Sequence, residues 1–141
     1  MVTVVVDASV AAQWYLNETY SQQAANLLAR SDVELIAPAI IAVEIANVAW
    51  KAHRRGAISE KNAVDLLSQF RESGVQFVPV EDLVEYALDL AIRHRHVVYD
   101  CLYLALALRE DCTFVTADRE FYDLMSPALP NNVLWVEDIP A

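Results

Sequence analysis

Short runs of β-branched and apolar residues alternate along this chain with longer stretches in which apolar side chains recur every three or four positions. Val2 to Val6 is the clearest short run. Val4, Val5 and Val6 leave no polar face, so the segment predicts a strand covered on both sides. Similar runs at Glu34 to Ala37, Gln76 to Val80, Thr113 to Thr116 and Val133 to Val136 predict four more strands. Between them the helical period predicts helices over Ser9 to Leu16, Tyr20 to Arg30, Pro38 to Arg55, Ser59 to Ser73, Glu81 to Arg95 and Tyr99 to Arg109. Pro38 suits the first turn of its helix, and Ser59 suits a cap. The two glycines, Gly56 and Gly74, fall where helices should stop. Strands alternating with helices imply an α/β domain around a mostly parallel sheet with right-handed crossovers. In such a sheet the working crevice lies beyond the carboxyl ends of the strands, where strand order reverses.

The 141 residues suit a single domain spanning positions 1 to 141, and 56% hydrophobic residues with a mean hydropathy of +0.26 exclude a disordered chain. So apolar a composition also predicts a patch covered by a partner chain. Ten Lys and Arg against twenty Asp and Glu give a net charge of -10, which argues against passive nucleic-acid binding. An enzyme that gathers cations on acids is not excluded by that balance. Two isolated glycines cannot build a nucleotide-cradling GxGxxG or P-loop. Cys101 and Cys112 lack zinc-ligand spacing, fit a reducing cytosol and are expected in the core. The first residues lack the basic flank of a secretory signal. The strongest apolar block, Leu35 to Val43, is too short for a membrane span.

Candidate chemistry begins with Asp7, which closes the first strand, and Asp118, which follows Phe114-Val115-Thr116-Ala117. If these strands are neighbours, about 4.8 Å apart, the two carboxylates repel unless something positive stands between them. Each also has a local explanation, as a turn residue or helix cap. Glu44 lies in an otherwise apolar helix, where a cleft wall explains it better than a solvent stripe. Asp100 precedes the apolar run Cys101 to Leu108 and could simply sit at a positive helix N-terminus. Together the four acids suggest a shared Mg²⁺ or Mn²⁺ ion, since hard oxygen donors favour these over zinc. Mutual repulsion without a cation should raise at least one carboxylate pKa. His53, His94 and His96 lie in basic clusters and are expected at exposed helix ends. Carboxylate-held cations suit hydrolysis of a phosphodiester.

Four segments, in this order and spacing, carry a resemblance to a known family: Val4-Val5-Val6-Asp7-Ala8-Ser9, Pro38 through Glu44 to Asn47, Tyr99-Asp100-Cys101-Leu102-Tyr103-Leu104-Ala105-Leu106-Ala107, and Phe114-Val115-Thr116-Ala117-Asp118. The chain resembles the PIN-domain ribonucleases, and most closely the VapC-type toxins of toxin-antitoxin pairs. The resemblance implies a three-layer α/β/α sandwich with a central parallel sheet and a Mg²⁺- or Mn²⁺-dependent endonuclease acting on RNA. Asp7, Glu44, Asp100 and Asp118 match the family's acidic quartet, as catalytic residues and metal ligands. Ser9 and Thr116 match hydroxyl positions that orient carboxylates or water, and Asn47 the polar residue one turn after the glutamate. After Asp118 the family often carries a further acid, for which Glu120 and Asp123 are both available. The resemblance also implies a cognate antitoxin seated in an apolar groove, a homodimer and a cytoplasmic location. Trp14, Tyr15, Leu16 and Trp50 are the groove candidates, with plain core packing as the alternative for each.

The net charge makes RNA attraction a local matter, because repulsion acts beyond a Debye length of about 8 Å. Lys51, His53, Arg54 and Arg55 form one basic cluster and Arg93, His94, Arg95 and His96 another. Lys51, two turns from Glu44 on the same helical face, is the stronger candidate for substrate contact. A phosphate-accepting receiver domain would need a lysine beyond a late strand, and a haloacid-dehalogenase-type phosphatase an Asp where Ser9 stands. The remaining rival is an inactive PIN-like module that binds a protein or RNA partner without cutting.

Overall fold

A computed structural model describes residues 1–140. Five strands form one sheet: β1 (Val2–Val6), β2 (Val33–Pro38), β3 (Gln76–Val78), β4 (Thr113–Thr116) and β5 (Val133–Trp135). Their order is β3-β2-β1-β4-β5, and every neighbouring pair is parallel. Seven helices connect them: α1 (Ala8–Ala11), α2 (Ser21–Leu28), α3 (Ile41–Arg54), α4 (Glu60–Arg71), α5 (Val84–His94), α6 (Val98–Arg109) and α7 (Arg119–Met125). The chain walks outward from β1 through β2 to β3, then returns to the other side of β1 with β4 and β5. Strand order therefore reverses between β1 and β4, and the crevice rule points to their carboxyl ends.

The register assigns the two sheet faces. Val5 stands beside Ile36 and Phe114, while Val4 stands beside Leu35 and Thr113. On the first face Phe114 stacks against Tyr103 of α6 and meets Phe121 of α7 edge to face. On the second, Leu27 of α2 lines an apolar cavity with Val4, Val33, Val115 and Leu134. Both sides of the sheet are covered, which is why the strands read as continuous apolar runs. Residues Cys101 to Ala107 of α6 are all buried, so this helix runs through the core and has no solvent stripe. Cys101 is fully buried, whereas Cys112 at the entrance to β4 is only half-buried.

Several boundaries differ from those the sequence pattern predicts. Pro38 is the last residue of β2, paired with Val78, and Ala39 extends the ladder by donating its N–H to the Val78 carbonyl at 2.8 Å. The helix after it starts only at Ile41. Proline at a strand end sacrifices no ladder hydrogen bond that the next residue cannot supply. The first helix is a single turn that tightens into a 3₁₀ turn over Ala12–Trp14. Gln13 holds that tightening in place, donating to the Ser9 carbonyl at 3.2 Å and accepting from the Tyr20 N–H at 2.7 Å. Pro79 ends β3 early, and a 3₁₀ turn over Val80–Leu83 leads into α5. Ser59 caps α4, accepting from the Asn62 N–H at 3.1 Å. Among the described residues no helix is long and apolar enough to cross a membrane.

Candidate active site

Period-two geometry places the first acid. Val6 pairs with Val115, so the next residues, Asp7 and Thr116, continue side by side on the face of the sheet that α6 covers. The Thr116 hydroxyl donates to Asp7 Oδ2 at 2.7 Å. Asp7 Oδ1 accepts from the Ser9 hydroxyl at 2.5 Å and from the Val10 N–H at 3.0 Å, which makes Asp7 the cap of α1. Ser9 Oγ in turn accepts from the Ala117 N–H at 3.0 Å, and Thr116 Oγ1 accepts from the Asp118 N–H at 3.0 Å. Asp118 caps α7 through the Phe121 N–H at 3.2 Å. Two hydroxyls thus lace the end of β1 to the end of β4. Asp118 is a helix cap, as its local explanation has it, Asp7 is a cap rather than a turn residue, and both local roles coexist with placement on a shared crevice.

The other two acids come from helices that lean over the same strand ends. In α3 the buried ridge Ile41, Ile45, Ala49 and Ala52 fixes the helix on the core, which leaves Glu44 half-buried at the rim. The Tyr103 hydroxyl donates to Glu44 Oε1, a contact between residues 59 apart that nothing in the local sequence signals. Asp100, in the first turn of α6, lies 2.6 Å from His96 Nε2 through its Oδ2. His96 is therefore not an exposed helix-end residue. Its side chain is 16% exposed and tilts over the Phe121 ring at 4.9 Å. The spacing of four between His96 and Asp100 across a helix start was the available signal.

Asp7, Glu44, Asp100 and Asp118 line one recess of about 120 Å³, together with Ser9, Tyr103, Phe114 and Phe121. No Lys or Arg lines that recess. Asp7, 8% exposed, is pushed up to about 7, mainly by burial, against the lowering effect of its hydroxyl and N–H donors. Glu44 is also raised, first by burial and to a lesser degree by the Asp100 charge. The upward direction is the expected one, but loss of water outweighs repulsion as its cause. Among the described residues no three of His, Cys, Asp and Glu stand grouped tightly enough to hold an ion. The side chains are instead taken up by protein donors. Donor type nevertheless fits a hard divalent cation: carboxylate oxygens only, one of them buried without a positive partner.

A larger groove of about 800 Å³ adjoins the recess and shares Ala8, Ser9 and Glu44 with it. Asn47 and Lys51 line this groove rather than the recess. Glu120 and Asp123 line neither, and Asp123 faces Arg119 at 3.6 Å. The apolar groove candidates divide. Leu16 is buried, and Trp14 stacks on Phe70 while its indole N–H binds the Ala24 carbonyl at 2.8 Å. Both are core residues. Tyr15 is half-buried, and Trp50 is 52% exposed beneath the Arg54 guanidinium.

A parallel sheet with acids gathered at the β1–β4 switch point defines the class, and the chain belongs to the PIN-domain family, whose profile matches residues 4–125. It is similar to Ribonuclease VapC3 of Pyrobaculum aerophilum, 34% identical over 127 residues that span 89% of this chain and 95% of that one. Among solved structures it superposes on VapC20 of Mycobacterium tuberculosis, a sarcin-ricin loop cleaving toxin, with a TM-score of 0.67 at 19% identity, covering 86% of this chain and 95% of that one. It also superposes on a toxin-antitoxin complex from Klebsiella pneumoniae, with a TM-score of 0.65 at 16% identity and coverages of 93% and 95%.

Proposed function

We propose that this chain is a metal-dependent endoribonuclease that cleaves RNA phosphodiesters and is the toxin of a toxin-antitoxin pair. The observation that carries the reading is the recess itself: four carboxylates on its wall, no cationic side chain, and Asp7 buried with its pKa raised by that burial. The charged form of a carboxylate buried as Asp7 is favoured when an outside cation joins it. Asp7, Glu44, Asp100 and Asp118 would hold Mg²⁺ or Mn²⁺, which when bound activates water for attack and offsets negative charge on the phosphate. The chain's own residues supply position. Ser9 and Thr116 fix both oxygens of Asp7, Tyr103 steers Glu44, and His96 steers Asp100. A carboxylate of the set takes the proton of the attacking water. Lys51, and Asn47 beside it, face substrate in the adjoining groove.

The likeness to Ribonuclease VapC3 and to a toxin-antitoxin complex supports an RNA substrate and a cognate antitoxin, the apolar composition supports a homodimer, and the two free cysteines fit a reducing, cytoplasmic setting. The test is incubation of purified protein with structured and unpaired RNA in Mg²⁺, Mn²⁺ or EDTA, beside Asp7→Asn and Asp100→Asn variants. Cleavage that depends on the cation and is lost in both variants is expected. Cleavage that survives EDTA or either substitution sinks the reading. Tight binding of an adjacent-gene product with no cleavage of any RNA would instead mark an inactive binding module.

A further inference from the structure

The groove beside the recess brings together two features suited to a polyanion with bases. First, cations: Arg30, Lys61, Arg93, Arg109 and Arg119 all face a carboxylate within 4.0 Å, but Lys51 and Arg55, both on the groove, form no ion pair among the described residues. Arg54, Arg71 and Arg95 are also without an ion pair among those residues but lie off the groove, so what singles out Lys51 and Arg55 is their place on one wall beside the acidic recess, free to meet an anion. Second, an open aromatic: Tyr99 is 64% exposed, the most exposed aromatic of the described residues, and makes no side-chain hydrogen bond and no ring pair among them. Tyr99 lines the groove, and Asp100, the next residue of α6, lines the recess.

Size decides which form of polynucleotide fits. A recess of about 120 Å³ admits a phosphate group but not the body of a stiff A-form duplex. A strand that reaches its floor must be splayed, with its next base unstacked. An unstacked base gains from any exposed aromatic face, whatever its sequence. We propose that the groove is a subsite for an unpaired nucleotide flanking the cut, with Tyr99 stacking on its base and Lys51 and Arg55 taking the phosphates beyond. This rests on the nuclease reading above and adds to it the side chains that would hold the nucleotide beside the cut.

Two measurements test the subsite separately from the chemistry. Steady-state cleavage of a short unpaired oligoribonucleotide compares wild type, Tyr99→Phe and Tyr99→Ala. Tyr99→Ala is expected to raise KM at least about five-fold with little change in kcat, and Tyr99→Phe to match wild type, because a ring face is what the base uses. Independently of cleavage, a 4-thiouridine-bearing strand irradiated with wild-type protein in EDTA should crosslink to the peptide carrying Tyr99, and the same strand annealed into a duplex should not. Unchanged kinetics in Tyr99→Ala, or equal crosslinking of duplex, overturns the subsite while leaving the nuclease standing. If the wild type cuts nothing, the nuclease reading falls, and crosslinking at Tyr99 alone decides whether the groove binds RNA.

Discussion

At the scale of single residues, Asp7 sets a pH dependence opposite to that of an ordinary salt-bridged acid. Its carboxyl titrates near 7 in the folded protein and at its ordinary value of 3.8 in the unfolded one. Between those values the native state binds more protons than the unfolded state, so stability must fall as pH rises through the interval. The full effect amounts to as much as about 4 kcal/mol. Metal-free protein is therefore expected to melt at lower temperature at pH 7.5 than at pH 5, and Asp7→Asn should remove most of that difference. Mn²⁺ should raise the melting temperature more at pH 7.5 than at pH 5, because proton and cation compete for the same oxygens. A melting temperature that climbs steadily from pH 5 to 7.5 without metal contradicts the assignment. Thr116 gives a second residue-scale prediction. It is fully buried, and its hydroxyl serves both Asp7 Oδ2 and the Asp118 N–H. Thr116→Val keeps the volume but strands both partners, at a cost of about 1–3 kcal/mol in denaturant unfolding. It should also lower cleavage by roughly ten-fold or more, as loss of a carboxylate-orienting group does.

At the scale of elements, the strands and the two acids that follow strand ends, Asp7 and Asp118, were readable because parallel strands follow simple rules, whereas Glu44 and Asp100 on helices kept local alternatives. A run with no polar face is covered on both sides and a reversal of strand order marks the crevice, but the β1–β4 register that sets Asp7 beside Thr116 is supplied only by the fold. Helix ends were less readable. Pro38 carries both a helix-start and a strand-end meaning, and only the β3 ladder, supplied by residues some forty positions later, chooses between them. The Tyr103–Glu44 bond was invisible for the same reason, since it joins α6 to α3 across the core. Another unsignalled feature is the end of α5, where Arg95 takes a left-handed conformation, φ 57°, without glycine's freedom. Arg95→Gly should therefore stabilise the protein by about 1 kcal/mol. The reverse holds at Gly56, φ 81°, where an added Cβ would meet nothing within 4 Å. Gly56→Ala should cost about 1 kcal/mol through backbone strain alone. Equal denaturation midpoints for Arg95→Gly and wild type would mean that the turn into α6 compensates the strain elsewhere.

At the scale of the whole molecule, a body of net charge -10 must bring a polyanion onto a cluster of acids. Long-range steering works against it, because an acidic surface lowers the encounter rate of RNA at low ionic strength. On the proposed function, what remains attractive is short-ranged: the cation the recess would hold, and the unpaired Lys51 and Arg55 in the groove. These two effects carry opposite salt dependences. Two phosphate contacts to a single strand release few counterions, so binding should weaken with salt at a slope of about -1.4 in log K against log salt, at most. Screening of the body's own repulsion pushes the other way and is nearly complete once the Debye length falls to about 8 Å. The measured slope for an unpaired oligoribonucleotide should therefore be shallow, and shallowest at low salt. Removing both groove cations, as Lys51→Gln with Arg55→Gln, deletes the attractive part and leaves the repulsion. In that double variant added salt should strengthen binding up to about 0.15 M. Fluorescence anisotropy across a salt series reads both slopes, and a double variant whose binding still weakens with salt would show that the RNA is held by cations outside this groove.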